Sequence, residues 1–253
     1  MYKIEKLFFS YDNKEILNDM SFSMESGKLT TIIGPNGSGK TTLLSLITGQ
    51  FNKYNGKIYF QNKLLKDYSI KELSQKIALV SQNVEIRFPF TCLEVVMMGR
   101  NPFKSRMKHL SKRDMEIVFK CMEMTETIKF SETSITDLSG GERQRVMLAK
   151  ALAQTPEVLF LDEAFSNMDI QYTIQFLNLL KDQIKEEKLT VVSIMHDLNL
   201  THMFSDRIVA LKNGKIEKYG NTQEVMTQET IKDLFGVKIR KTEENGLVIL
   251  PKL

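Results

Sequence analysis

Long apolar runs are missing from this sequence. Its longest ones, such as "VLFL" at Val158–Leu161, are far shorter than the ~20 residues that a membrane-spanning helix needs. The N-terminal stretch "MYKIEKLFFSYDNKE" places acidic residues among short apolar pairs and lacks the apolar core of a signal peptide. We therefore expect a protein of the cytoplasm.

The sequence also has few cysteines and only a small net charge. Cys92 and Cys121 are the two cysteines, and neither belongs to a CxxC pair, which predicts buried free thiols rather than a disulfide or a metal site. The net charge is +4 and the basic residues are scattered, so nothing indicates a nucleic-acid-binding surface. With 253 residues, 42% of them hydrophobic, the chain can fill one large core or two small ones.

Short apolar segments alternate with helical patterns along most of the chain, which predicts an α/β fold with a mainly parallel central sheet. The segments predicted as strands of this sheet are "LTTII", "KIALVSQ", "EVLFLDE", "TVVSIMH" and "RIVAL". An N-terminal antiparallel β piece is expected around "GKIYF", and a helical insertion at about 83–137. A tail at about 206–253 should form a hairpin, a short helix and a final strand. We interpret residues 1–253 as a single domain.

Two helices are predicted in more detail. Ser111 and Asp114 have the spacing of a helix cap in "SKRDMEIVFKCME". After "EVLFLDE", apolar residues recur at helical spacing and predict a helix. These residues are Ile170, Ile174, Leu177, Leu180 and Ile184.

A phosphate-binding loop is the most specific motif. "GPNGSGKTT" matches G-x-x-x-x-G-K-[ST] between a predicted strand and a predicted helix. Glycines let backbone N–H groups approach phosphates, Lys40 can reach the β- and γ-phosphate oxygens, and the Thr41 hydroxyl can ligate Mg²⁺. The predicted nucleotide-binding residues are Gly34, Asn36, Gly37, Ser38, Gly39, Lys40, Thr41 and Thr42. By itself, this loop does not distinguish between kinases, GTPases and motor proteins.

Four polar residues at strand ends complete the predicted site. Asp162 ends the buried strand of "VLFLDE", where it can hold Mg²⁺, and the adjacent Glu163 can polarise the attacking water. Gln82 can contact Mg²⁺ or that water, and His196 can bond the γ-phosphate and orient the water. A turn cap, a loop glutamine and a structural histidine are the ordinary alternatives, so these roles depend on the phosphate loop.

A second anion site is predicted at "LSGGERQ", Leu138–Gln144, where a Ser-Gly-Gly turn opens a helix. A single chain thus contains two helix starts suited to phosphate and one set of catalytic carboxylates. Within one chain, the phosphate loop and the carboxylates account for one bound nucleotide, so no phosphate is left for the Ser-Gly-Gly site.

The order of these motifs resembles that of the ATP-binding-cassette (ABC) ATPases over essentially the whole chain. The resemblance implies ATP and Mg²⁺ as ligands and a homodimer or pseudo-dimer packed head to tail. Ser139, Gly140 and Gly141 of one subunit would then bind the γ-phosphate held by the other, with Asp169 linking the two sites. It also implies that Tyr11 stacks on adenine.

One segment departs from the family pattern. The chain has "DEAFSNMD" where the family usually has "DEPTSALD", so Ala164 replaces a proline and Met168 a leucine. Both carboxylates and Asp169 remain. We expect hydrolysis to be retained, and leave communication between the two sites open.

Within the family, the segment "RFPFTCLEVVMMGRNPF" resembles the corresponding segment in the ATPases of importers of iron siderophores, haem and cobalamin. This resemblance implies a peripheral ATPase subunit at the cytoplasmic face of the membrane, docked to a permease near 83–103 and indirectly to an extracytoplasmic binding protein. Phe88, Phe90, Val95 and Met97 suit such docking, although Val95 and Met98 can equally fill the core of the insertion. Phe88 and Phe90, which flank a proline, are the better contact candidates.

Two alternatives use the same catalytic residues. One is the ATPase of an exporter with separate membrane subunits, and the other is a soluble assembly factor of the iron–sulfur cluster type. The cargo cannot be deduced from this chain, since other subunits choose it, but iron is the first expectation by resemblance.

Overall fold

The computed structural model describes residues 1–81, 86, 88–104, 109–166, 168–242 and 246–250. Its strands are β1 (Tyr2–Tyr11), β2 (Lys14–Met24), β3 (Leu29–Ile33), β4 (Asn55–Phe60), β5 (Lys63–Leu64), β6 (Ile77–Val80), β7 (Val158–Asp162), β8 (Thr190–Ile194), β9 (Arg207–Lys212), β10 (Lys215–Asn221), β11 (Lys238–Lys241) and β12 (Leu247–Leu250).

The α-helices are α1 (Lys40–Ile47), α2 (Ile70–Lys76), α3 (Cys92–Met97), α4 (Lys112–Met124), α5 (Gly140–Ala153), α6 (Ile170–Glu187), α7 (Leu198–Phe204), α8 (Thr222–Val225) and α9 (Gln228–Phe235). Short 3₁₀ turns occur at Leu65–Asp67, Met98–Phe103, Ile128–Phe130 and Ile135–Asp137. None of the helices in the described segments combines the length and apolar character needed to cross a bilayer.

The chain divides into two compact units, and the first comprises residues 1–69 and 190–253. Its N-terminal sheet is antiparallel, with strand order β2-β1-β4-β5. Along β1 the residues Tyr2, Ile4, Leu7 and Phe9 are buried while most of their neighbours are not, which is the pattern of a sheet with one face on a core. The predicted antiparallel piece around "GKIYF" is β4, which pairs with β1.

The parallel strands of the first unit are buried throughout. Strand β3 pairs in parallel with β8 and with β9, and every residue of β3 and β8 is buried. This explains why both strands have near-continuous apolar sequences. Strand β10 returns antiparallel to β9 through a turn at Gly214, so the predicted hairpin of the tail is confirmed.

The rest of the tail packs on the same unit. Helix α9 ends at Gly236, whose positive φ of 70° terminates the helix, and β11 and β12 form an antiparallel pair. Ile231 and Leu234 of α9 share one buried cluster with Ile33 and Ile208. The tail therefore covers the core beside the strand that leads into the phosphate loop.

The second unit comprises residues 70–189. Strand β6 pairs in parallel with β7, and β6 is shorter than the predicted strand "KIALVSQ". Helix α4 begins after Ser111, which forms the predicted cap with Asp114. Cys92 and Cys121 are both buried free thiols, and burial raises the pKa of each to about 11.

The predicted helix is present as α6. Not all of its regularly spaced apolar residues are buried, since Ile170 is 59% exposed and Ile174 is also exposed. The buried residues are Thr173, Phe176, Leu177 and Leu180. Ile170 is the first residue of the helix and precedes the first buried residue, Thr173, so the regular apolar spacing extends beyond the buried part of the helix.

The fold is of mixed α/β type, with mostly parallel central strands and an antiparallel N-terminal sheet. The predicted fold class is thereby confirmed. The interpretation of 1–253 as a single domain, with an insertion at about 83–137, remains a prediction.

Candidate functional site

The phosphate loop connects β3 to α1, and its backbone depends on glycines. Gly34, Gly37 and Gly39 have φ values of 155°, 76° and 97°, which side-chain-bearing residues rarely adopt. Gly39, the residue before α1, has no side chain that could cap the helix. The first N–H groups of α1 therefore have no side-chain cap, and such groups are the usual ligands of a phosphate.

Neighbouring backbone crowds this loop on both sides. A Cβ atom on Gly34 would lie 2.3 Å from the carbonyl oxygen of Leu211. The N–H of Gly214, in the β9–β10 turn, donates to the Ser38 carbonyl oxygen at 3.2 Å, and the Gly214 carbonyl oxygen accepts from Asn18 N–H at 2.8 Å. Contacts with the backbone of neighbouring segments thus hold the loop in place.

The loop also offers a buried cation and a buried hydroxyl. Lys40 is 6% exposed, and its Nζ donates to the carbonyl oxygens of Gly34 at 2.9 Å and Pro35 at 3.1 Å. Among the described residues the Ser38 Oγ is buried without a hydrogen-bond partner. A buried polar atom without a partner is costly, and a phosphate oxygen would supply one. The chemistry of the loop therefore fits a polyphosphate.

Tyr11 lies at the end of β1 with a partly exposed ring. Its ring is 45% exposed and meets the rings of Phe9 and Phe51 edge to face, with centroids 4.8 and 5.9 Å away. An exposed ring supported in this way can stack on a purine base. The sequence analysis missed Phe51, since nothing local connects it to Tyr11.

His196 lies close to the start of the phosphate loop in the topology of the first unit. Ile32 of β3 is paired with Ile194 of β8 in parallel register, so Gly34 and His196 both lie two residues beyond that pair. Adjacent strands lie about 4.8 Å apart. The His196 side chain is exposed, which suits a residue that contacts a ligand.

The carboxylates belong to the second unit. Strand β7 is fully buried from Val158 to Leu161, and Asp162 is its half-buried last residue. Glu163 follows with a φ of 50°, a conformation that is uncommon for a glutamate and that often marks functional positions. Gln82 lies outside the described residues.

The Ser-Gly-Gly turn opens α5, as predicted, but its hydroxyl has a partner. Ser139 Oγ donates to Glu142 Oε2 at 2.7 Å and accepts from Glu142 N–H at 3.4 Å, while Ser139 N–H donates to the same carboxylate at 3.0 Å. The Ser139 hydroxyl and N–H hold the pKa of Glu142 below its usual range. The motif S-x-x-E gave a signal for this capping box that the sequence analysis did not use. A phosphate at Ser139 Oγ would have to replace the Glu142 carboxylate.

Residues of the Ser-Gly-Gly turn and Asp169 line one cavity. This cavity is open to solvent and has a volume of about 530 Å³. Asp169 precedes α6, and its side chain makes no cap hydrogen bond to that helix. The structure thus brings together, within the second unit, all four residues predicted to act across a dimer. The same cavity is lined by Arg145 and Tyr172, which the sequence analysis did not identify.

The predicted docking segment has two exposed aromatic rings. Phe88 is 70% exposed and Phe90 is also exposed, with ring centroids 6.1 Å apart. Val95 is fully buried in α3, so it belongs to the core and not to a docking surface. The Phe90 carbonyl oxygen accepts from Ile135 N–H at 2.9 Å, which fixes the backbone beneath the exposed ring.

Comparison with known proteins gives consistent matches. The family described as "ABC transporter" matches residues 17–166. An uncharacterised ABC transporter ATP-binding protein, YvrA of Bacillus subtilis (strain 168), is 39% identical over 94% of this chain, which spans only 54% of that protein. The iron(3+)-hydroxamate import ATP-binding protein FhuC of the same strain is 36% identical over 92% of this chain and 87% of its own length.

A solved structure matches the fold. It is the dimeric, post-hydrolysis state of the ATP-binding cassette MJ0796 bound to ADP and Pi. It has a TM-score of 0.76 and 29% identity, and the match covers 88% of this chain and 99% of that one.

Proposed function

Because this chain belongs to the ABC transporter family, whose ATP-binding domains hydrolyse ATP, we propose that it is the ATPase subunit of an importer. The cargo we propose is a ferric siderophore or a related iron, haem or cobalamin compound. Support comes from the iron-hydroxamate import protein among its relatives and from the motif "RFPFTCLEVVMMGRNPF". The observation that carries the transport assignment is the exposed pair Phe88 and Phe90.

ATP binds in this proposal along the phosphate loop. Backbone N–H groups of the loop and of α1 contact the phosphates, together with the side chains of Asn36, Ser38, Lys40 and Thr42. Tyr11 stacks on the adenine. The buried cation and the unpartnered Ser38 hydroxyl described above support this arrangement.

Hydrolysis is assigned to the polar residues at the strand ends. Glu163 polarises the attacking water, and His196 orients it against the γ-phosphate. Gln82, with Thr41 and Asp162, would hold Mg²⁺, which neutralises charge on the phosphates. No group of three or more His, Cys, Asp or Glu side chains suited to a metal occurs in the described part of the chain, and a cation bound largely by nucleotide oxygens and water needs few protein ligands.

The second anion site takes its phosphate from a partner chain. ABC ATPase domains work as dimers, and in our proposal Ser139, Gly140 and Gly141 of one copy close over the ATP held by the other. Asp169 lies in the same cavity and links the two sites. Each chain then contributes half of two composite sites, so hydrolysis requires two chains, related by a two-fold axis if they are identical.

Docking to a membrane permease is assigned to residues near 83–103. Exposed aromatic side chains on a fixed backbone are typical anchors of protein interfaces. The chain then sits at the cytoplasmic face of the membrane, with an extracytoplasmic binding protein reached through the permease. Closure of the ATP-bound dimer would be transmitted through this segment.

A pull-down from detergent-treated membranes tests the assignment. The tagged chain is purified under mild conditions and its partners are identified by mass spectrometry. We expect a polytopic membrane protein together with a substrate-binding protein, whose ligand would reveal the cargo. Phe88→Asp should lose both partners, whereas Ile70→Asp, which changes an even more exposed apolar residue elsewhere, should keep them.

Other outcomes would change the assignment. A membrane partner without a binding protein would favour an exporter ATPase. Soluble partners alone would contradict a role in transport and leave the ATPase activity standing. Loss of partners in Ile70→Asp as well would contradict the placement of the docking surface at Phe88 and Phe90.

A further inference from the structure

Arg145 is a buried cation on the second turn of α5. It is 6% exposed, and its guanidinium carbon lies 4.1 Å from the centroid of the Tyr172 ring. The Phe130 ring lies further off, at 5.9 Å. The nearest described carboxylate contact is with Glu126, an exposed residue, at 3.8 Å from Nη1 to Oε2.

Hydrogen bonds do not explain this burial. Among the described residues, the Nε and Nη1 atoms of Arg145 are buried without a hydrogen-bond partner. A buried charge without such partners destabilises a fold unless another interaction compensates for the lost hydration. The contact with the face of Tyr172 supplies one, because a guanidinium over an aromatic face is attracted to it, more strongly so when both are desolvated.

The ring that Arg145 contacts belongs to the first turn of α6. Tyr172 lies three residues after Asp169, so both lie on neighbouring positions of that turn. Arg145 in turn lies four residues after Gly141 of the Ser-Gly-Gly turn. The contact therefore joins the two segments that line the cavity of about 530 Å³, to which Ser139–Gly141 and Asp169 both contribute.

A second, small cavity adjoins this contact. It has a volume of about 40 Å³ and is lined by Arg145, Tyr172, Met168 and Phe176, among others. Packing around the ring is therefore incomplete. The stacked guanidinium is one of the groups that oppose movement of Tyr172, and hence of the start of α6, relative to α5.

We propose that Arg145 is a positioning residue for ATP hydrolysis: by stacking on Tyr172 it fixes Asp169 relative to the Ser139–Gly141 anion site. The inference rests on the proposed function, in which these residues act on ATP held by a second chain. Lysine should substitute only in part, because its compact ammonium lacks the flat face that stacks on a ring. Phenylalanine can replace Tyr172, because it keeps the aromatic face.

The test separates ATP binding by one chain from ATP-driven pairing of two. In the Glu163→Gln background, light scattering measures dimerisation of the full chain against the concentration of MgATP. Tyr172→Leu and Arg145→Lys should raise the half-maximal ATP concentration about tenfold. Binding of a fluorescent ATP analogue to the dilute, monomeric chain should stay within about twofold, because the phosphate loop is untouched.

Two controls exclude a general structural effect. Tyr172→Phe should dimerise within about twofold of the parent, since it keeps the stacked ring. Leu179→Ala, a truncation of a half-buried residue further along α6, should lower the melting temperature without changing the half-maximal ATP concentration. If Arg145→Lys does not fold, Tyr172→Leu against Tyr172→Phe still decides the question.

The failures are distinguishable. If the parent dimerises and Tyr172→Leu does so at the same ATP concentration, the inference is wrong and the proposed function stands. If Tyr172→Phe is as impaired as Tyr172→Leu, the hydroxyl rather than the stacked ring matters, and the inference is also wrong. If the parent stays monomeric at saturating MgATP, the head-to-tail site is overturned, and this inference with it.

Discussion

The Nζ of Lys40 donates a hydrogen bond of 2.9 Å to the carbonyl oxygen of Gly34, the first residue of its own loop. The lysine expected to reach a phosphate thus also contacts the backbone that would surround that phosphate. The carbonyl oxygens of Gly34 and Pro35 hold the cation within the loop. A charged group that is already ordered before its ligand arrives reduces the cost of binding.

Lys40→Met should abolish nucleotide binding while leaving the fold intact. The methionine keeps most of the apolar stem and removes the charged donor. We expect ATP affinity to fall at least about a hundredfold, because a charged donor to phosphate contributes up to ~3 kcal/mol. Isothermal titration measures the affinity, and Lys53→Met, at an exposed lysine, is the control. Equal affinities in the two variants would contradict the assigned role.

Gly34→Ala should be far more destabilising than Gly27→Ala. Both glycines have positive φ values, 155° and 66°, but a Cβ at Gly34 would lie 2.3 Å from Leu211 O and one at Gly27 would meet nothing within 4 Å. Positive φ alone costs alanine about 1–2 kcal/mol, while collision with backbone should bring the Gly34 variant above about 3 kcal/mol. Denaturant unfolding measures both, and similar values would show that the loop can shift.

Glu163→Gln should slow hydrolysis at least about a hundredfold while ATP binding stays near wild type. The amide keeps the shape of the side chain and loses the basicity that polarises water. Single-turnover hydrolysis and equilibrium nucleotide binding are measured on the same sample. Turnover near the wild-type rate would exclude Glu163 as the base.

Glu163→Asn should stabilise the chain although it removes activity. The backbone at Glu163 has a φ of 50°, a region that asparagine enters more readily than glutamate. We expect a gain of about 0.5–1 kcal/mol in the free energy of unfolding, with Glu163→Gln near zero for comparison. Equal stabilities of the two variants would indicate that the φ value carries no strain.

Asp114→Asn should destabilise the second unit by about 1–3 kcal/mol at neutral pH. The Ser111 side chain and backbone, together with Arg100, hold the pKa of Asp114 below its usual range. Arg100 is buried and donates to Asp114 Oδ1 at 2.9 Å. The substitution removes the charge of its partner.

The sign of the pH dependence follows from the lowered pKa of Asp114. The folded chain binds this proton less readily than the unfolded chain, so the stabilisation is complete above about pH 4 and is lost as pH falls through the lower, folded pKa. The stability difference between wild type and Asp114→Asn should therefore be constant from pH 8 to about pH 5 and shrink only below about pH 4. Unfolding titrations across this range measure it, with Glu116→Gln on the same helix as control. A difference that already shrinks at pH 6 would contradict the assignment.

Local features of the fold and site were predictable from the sequence. The strand Leu29–Ile33, the glycine loop after it and the cap of Ser111 with Asp114 each depend on neighbours a few residues away. The burial pattern of α6 was not predictable in the same way, because Ile170 has helical spacing and yet is 59% exposed. Helical spacing states which residues share a face and not what lies against that face.

The contact between Arg145 and Tyr172 could not have been predicted from either residue alone. It joins two helices, and neither helix shows a local pattern that requires the other. The same applies to Phe51, whose ring supports Tyr11 from a loop distant in sequence. Family resemblance identified the residues that would contact ATP, while the structure identified the side chains that hold them in place.

The turn at Gly214 has a consequence for anyone who modifies this protein. Hairpin tips are ordinarily chosen for epitope tags, reporter insertions or new chain termini, because they tolerate extra residues. This tip is hydrogen-bonded to Ser38 on one side and Asn18 on the other. An insertion there would transmit a displacement to Ser38 in the loop between β3 and α1, so labels are better attached elsewhere on the surface.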